Sequence, residues 1–167
     1  MEFDKVINKR ISCRSFLDEK IDRENISKIL DSAKKAPVAK GKYQDYKLFI
    51  IESKKLKDLQ SLTLKESNLD FTYGAPLVIV VAYKGEENEP MEQSVGAIIE
   101  NMELCASNLG LDSVFVYTIK RYFLGSEAYK NALNLDGYIP EACLCIGKGK
   151  DFKYTDKKHN IDVEFIE

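Results

Sequence analysis

The stretch Lys9-Arg10-Ile11-Ser12-Cys13-Arg14-Ser15-Phe16 carries more potential chemistry than any other part of this sequence. Three basic residues and two hydroxyls fall within seven positions. Arginine forks bind phosphate bidentately, and hydroxyls add hydrogen bonds to the same oxygens. By residue type alone the stretch reads first as a solvated basic loop. A second basic cluster, Lys157-Lys158 followed by His159, reads by itself as a solvated tail. The two clusters serve one anion only if the fold brings them together. His159 is the single histidine, so histidine metal clusters and Ser-His-Asp triads are poor fits. No Walker A motif and no G-x-G-x-x-G occurs. Gly147-Lys148-Gly149-Lys150 is too short for a phosphate loop and has no helical pattern after it. If the chain is an enzyme, its hard chemistry is expected to come from elsewhere.

The four cysteines, Cys13, Cys105, Cys143 and Cys145, form no C-x-x-C pair and no zinc spacing. They read as small, buried or semi-buried apolar residues. Cys143 and Cys145 alternate with Leu144, so both are expected on one face of a strand. The first residues, MEFDKVINKR, are charged and lack a signal-peptide apolar core. The longest apolar run, Ala75–Tyr83, is far below the roughly 20 residues of a membrane helix. The chain is therefore expected in the cytoplasm, where disulfides are not expected. With 25 basic and 27 acidic residues the net charge is −2, which gives no global pull toward nucleic acid or anionic membrane. The 167 residues, 44% hydrophobic, fit one domain spanning residues 1–167.

These groups must be positioned by a mixture of helices and strands. Phe3, Val6 and Ile7 have helical spacing that stops near Asn8–Arg10. Asp22 reads as an N-cap, with Ile21 and Ile26 as a hydrophobic staple. Ile26, Ile29, Leu30 and Ala33 form one buried stripe, and Pro37 ends that helix. Tyr46–Ile51 reads as a strand. Ser53 reads as the cap of a short helix carrying Leu56, Leu59 and Leu62. Leu77–Tyr83 is apolar throughout, as a strand covered on both faces should be. Glu92–Leu109 gives the longest helix signal, with Gly110 as its C′ residue. Leu111–Val116 and Ala142–Ile146 read as strands, and Ser126–Leu135 as a helix capped by Ser126. The tail Asn160–Ile166 alternates apolar and polar residues, which predicts a half-exposed strand. The order implies an α/β or α+β sandwich around one sheet.

In this order the features resemble the nitroreductase family of FMN-dependent flavoproteins over nearly the whole chain. Arg10-Ile11-Ser12-Cys13-Arg14-Ser15-Phe16 looks like the family's R-R-S-x-R-x-F signature. Ala36-Pro37 stands where the family has A-P-S-x-x-N-x-Q-P-W. Tyr73-Gly74-Ala75-Pro76-Leu77-Val78-Ile79-Val80 looks like its "aP-x-vivv" strand. Glu100-Asn101-Met102, Ala106 and Leu109-Gly110-Leu111 resemble the long dimer-core helix and its exit. Ala142–Gly147 resembles the strand that ends in glycine before a basic C-terminal segment. The resemblance implies an α+β, nitroreductase-like fold: a central, mostly antiparallel sheet flanked by helices.

It also implies a function. Arg10, Ile11 and Ser12 would hold the phosphate and ribityl region of FMN. Arg14 would lie near flavin N1 and O2, where a cation stabilises the charge of the reduced ring. Lys157 and Lys158 would add phosphate contacts, and the backbone at Tyr117 and Thr118 would face flavin N5. The family's Ser and Asn after Ala-Pro are absent. Gly41 and Lys42 stand in that loop, and Gln44 replaces the family glutamine with a one-residue shift. The implied reaction passes hydride from NAD(P)H through flavin N5 to a nitroaromatic, quinone or similar acceptor, with no catalytic side chain. The implied assembly is a homodimer with flavin sites at the interface. The connection Lys84–Met91 is shorter than in larger members. It points to an alternative: a flavin-binding carrier or sensor module without general reductase activity.

Overall fold

Leu77–Tyr83 forms the strand β2, and all seven of its residues are buried. The computed structural model describes residues 2–85, 89–150, 157 and 159–166. Within these, β1 (Tyr46–Glu52), β2, β3 (Asp112–Val116) and β4 (Ile139–Gly147) form one sheet in the order β1-β2-β4-β3. All three pairings are antiparallel. Side chains of successive strand residues point to opposite faces, so β2 and β4 feed two cores. Val78, Val80, Cys143 and Cys145 lie on one face, with Val114 and Val116 of β3. Leu77, Ile79, Val81, Ala142, Leu144 and Ile146 lie on the other. The continuous apolar run is thus a strand covered on both sides, and Cys143 and Cys145 do share a face.

The first face is covered by α3 (Ser53–Ser67), α5 (Ile119–Gly125) and α6 (Glu127–Ala132), through residues such as Leu56, Leu59, Ile119, Phe123 and Tyr129. The second is covered by α2 (Arg23–Ala33) and α4 (Glu89–Asn108). Helix α1 (Phe3–Lys9) packs against α4, where the buried Ser107 Oγ donates to the Val6 carbonyl at 3.1 Å. The fold is the expected α+β sandwich.

Local chemistry sets the helix ends. Asp22 Oδ1 accepts from the Asn25 N–H at 2.8 Å, and Ile21 and Ile26 pack into the same core. Gly110, at φ +82°, takes the left-handed conformation that closes α4. Its N–H donates to Ser107 O at 3.1 Å and the Leu111 N–H to Ala106 O at 2.9 Å, the paired bonds of a Schellman motif.

Several expectations are corrected. Helix α4 begins three residues earlier than expected, with Pro90 in its first turn, where a missing N–H costs nothing. Helix α3 runs fifteen residues, and Ser53 is its first residue, at φ +55°, rather than its cap. Ser126 holds the N-cap position of α6 without a side-chain bond, and that helix stops at Ala132. Leu133 turns extended there to bury its side chain. Helix α5 was not foreseen. Residues 160–166 form no strand; Ile161, Val163, Phe165 and Ile166 are 73–92% exposed. An alternating segment needs a sheet edge to pair with, and this tail lies against none.

Asp22→Ala is expected to destabilise the chain by about 1 kcal/mol through loss of the α2 cap. Urea unfolding should show a lower midpoint with an unaltered slope; an unchanged midpoint would contradict the capping role.

Candidate functional site

The basic stretch after α1 is pinned along the open edge of the sheet. Ser12 bridges Ser113 in parallel, and the Cys13 N–H donates to Ser113 O at 2.9 Å. Further on, Phe16 bridges Gly149, the Leu17 N–H donates to Lys148 O at 2.8 Å, and the Lys150 N–H to Ser15 O at 3.0 Å. Gly147, which ends β4, and Gly149 just beyond it allow this close approach. A Cβ on Gly147 would lie 2.7 Å from Pro76 Cδ and 3.0 Å from Phe16 Cδ1. At Gly149 it would lie 2.9 Å from Asp112 Oδ2, which already accepts the Gly149 N–H.

Arg10, at the exit of α1, is held from beneath. Its guanidinium lies 3.8 Å from Oε2 of Glu103 on α4, whose side chain is 4% exposed. Oε1 of Glu103 accepts from Ser113 Oγ at 3.2 Å. Burial pushes the Glu103 carboxyl above its ordinary range, Arg10 opposes that shift, and the nearby Glu100 adds to it. Lys157 comes to the same place from the C-terminal segment: its Nζ donates to the Ile7 carbonyl at 2.7 Å. Burial, followed by the positive charge of Arg10, pushes its ammonium downward. The two basic clusters therefore do converge. Arg10, Ser12 and Lys157 gather around the C-terminal half of α4, with Ile11 half-buried and Arg14 exposed beside them. Lys158 lies outside the described residues.

The other expected site residues lie elsewhere on the chain. Gly41, Lys42 and Gln44 are exposed on two short 3-10 turns, Ala39–Gly41 and Tyr43–Asp45. That loop is tied to the N-terminal half of α4, where the Ala39 N–H donates to Ser94 Oγ at 2.9 Å. Lys42 helps line a small cavity of about 240 Å³ there, with Asp45, Lys84 and Met91. Ser94 and Glu103 are nine residues apart, a rise of about 13 Å and a rotation of about 180° around the helix. One copy of the chain therefore does not bring Lys42 and Arg10 to one small ligand. Tyr117 and Thr118 leave β3 and lead into α5. Tyr117 is 74% exposed. Lys120, one turn on, pairs with Glu92 at 3.0 Å and Glu141 at 2.8 Å, which sets this exit beside the N-terminal half of α4.

A cleft of about 1040 Å³ lies between residues 16–23, the start of α3 and residues 73–77. It contains none of the expected site residues. The convergence of Arg10 and Lys157 beside the buried Glu103 is the better guide to chemistry, because an open surface cleft fixes no charge in place. Glu103 and Ser113 are the residues that the reading of the sequence missed. One signal was available: Glu103 is an acid inside the apolar stripe of Ile98, Ile99, Met102 and Ala106.

The family model of the nitroreductases matches residues 7–66 and 57–148. The chain belongs to the nitroreductase family. Solved nitroreductase structures carry the same fold. A nitroreductase with bound FMN from Desulfitobacterium hafniense is 21% identical, with a TM-score of 0.83 and 100% of each chain covered. An FMN-dependent nitroreductase from Clostridium difficile is 25% identical, with a TM-score of 0.79, covering 97% of this chain and 98% of its own. A further nitroreductase family protein from Clostridium difficile is 27% identical, with a TM-score of 0.67 and coverage of 91% and 87%. No curated protein matches at a significant level. Among the described residues no helix of this nitroreductase is long and apolar enough to cross a membrane, and no cluster suits a metal ion.

Gly147→Ala is expected to cost about 1–3 kcal/mol by overpacking against Pro76 and Phe16. It should lower the melting temperature and speed hydrogen exchange at the Leu17 amide. Unaltered exchange there would contradict the clamp.

Proposed function

We propose that this nitroreductase is an FMN-dependent oxidoreductase that works as a homodimer. The observation that carries the reading is the convergence of Arg10 and Lys157 beside Ser12, a cationic, hydroxyl-bearing cradle suited to a phosphate. When bound, FMN would supply the redox chemistry, carrying hydride equivalents from NAD(P)H to a nitroaromatic, quinone or similar acceptor. The protein's own share is binding and orientation. Arg10 and Lys157, with Lys158, hold the phosphate. Ile11 and Ser12 line the ribityl chain. Arg14, exposed on the same segment, supplies positive charge near the pyrimidine edge. The backbone at Tyr117 and Thr118 orients the ring. Use of NAD(P)H goes with a cytoplasmic setting.

Two observations support the dimer. Gly41, Lys42 and Gln44 lie at the opposite end and side of α4 from Arg10, so a flavin touching both needs the loop of a second copy. The tail at 160–166 exposes four large apolar side chains that a single copy leaves in water. A second reading, a flavin carrier or sensor, is favoured by one observation. Only residues 84–88 join β2 to α4, which leaves little chain to build a substrate pocket.

The purified protein should be yellow, and NADH or NADPH should bleach its flavin band under anaerobic conditions. A protein that stays colourless after FMN addition and gel filtration would overturn the flavin reading; a flavin that neither donor bleaches would favour the carrier. Arg10→Ala should weaken FMN binding by about 1.5–3 kcal/mol, as loss of charged hydrogen bonds requires. An unaltered dissociation constant by flavin fluorescence would refute that role. Arg14→Ala should lower the flavin reduction potential, and an unaltered potential would mark Arg14 as a surface charge only.

A further inference from the structure

The proposed phosphate cradle carries its own negative charge. Arg10 lies 3.8 Å from Glu103. Glu100, three residues back along α4, lies on the same helix face as Glu103 and adds a second negative charge beside it. Lys157 interacts with Arg10, Glu100 and Glu103 together. These four mutually coupled groups sum to zero when all are ionised. Ser113 faces Glu103 from β3 and brings a hydroxyl but no charge. Asp112, next to it, is engaged by the Gly149 N–H. Glu103 is nearly inaccessible to water, so solvent screens it little. An anion docked on Arg10 shares its guanidinium with Glu103, 3.8 Å away.

We infer that phosphate binding at Arg10 and Lys157 is proton-linked, with the Glu100–Glu103 pair taking up a proton from solvent as the anion docks. The inference rests on the flavin-phosphate reading above and deepens it. Docked phosphate repels both carboxylates and so favours their protonated form. By linkage, protonation then favours docked phosphate. The sign is fixed: the carboxylates oppose the anion at high pH and release that opposition as pH falls through their titration range. Burial pushes that range upward for Glu103, against the opposing charge of Arg10, and Glu100 adds to the rise. The phosphate's own protonation weakens binding at low pH, but it does so equally in wild type and in a carboxylate variant.

The test is FMN affinity of the wild-type protein and of Glu103→Gln, measured by fluorescence between about pH 8 and about pH 5.5, with riboflavin as a phosphate-free control. Glu103→Gln should bind FMN about tenfold tighter at the upper pH, and the gap should narrow as the pH falls. Riboflavin should show no gap. Glu100→Gln, an exposed substitution that leaves the core intact, should show a smaller gap of the same sign. Equal FMN affinities across the pH range, or the same gap with riboflavin, would overturn the linkage and leave the flavin reading standing. If neither protein binds FMN, the flavin reading falls and the linkage falls with it.

Discussion

Strand β2 has no solvent-facing side, so both faces of the sheet need a cover. That requirement shapes the rest of the chain. Antiparallel pairing to β1 and β4 satisfies its backbone, and alternation divides its side chains between two cores. One face takes α3, α5 and α6; the other takes α2 and the twenty-residue α4. Because α4 must cover a broad apolar face, it is long, and its length keeps the two sets of expected flavin contacts apart. The cover of a sheet thereby becomes the spacer of the proposed binding site.

The edge of the same sheet supplies the second constraint. β3 is the outer strand beside β4, and its free edge accepts the segment from Ser12. Gly147 and Gly149 then let Phe16 approach closely enough to fix that segment at both ends. Arg10 is held where α1 ends, between this clamp and the buried Glu103. The basic residues are thus placed by backbone pairing rather than by their own flexible side chains. A placement of this kind suits a cofactor whose reactive atom must be held in register.

Much of this was legible in the sequence, for identifiable reasons. Leu77–Tyr83, the Asp22 cap and the Gly110 exit are local signals, and each is met by a local hydrogen bond or a local period. The convergence of Arg10 and Lys157 was legible only through the family resemblance, because residues 147 positions apart meet only through the fold. Glu103 was hidden for a related reason: a helix pattern scores an acid as polar, while its burial depends on Arg10 and Ser113 opposite. The tail at 160–166 carries the alternation of a strand, but pairing is a property of two segments, and this copy offers it no partner edge. The end of α6 was misread because Leu133 is drawn into the core out of the helical path.

The central claim is a phosphate cradle and a flavin loop that meet only across two copies of the chain. Mixing Arg10→Glu protein with Lys42→Glu protein tests it directly, with bound FMN per chain as the readout. Each variant alone should fail to retain FMN. After subunit exchange, mixed dimers would each carry one intact site and one doubly altered site, restoring about a quarter of all sites. Absence of any recovery, with exchange verified, would contradict the account, because a site built within one chain stays broken in every combination.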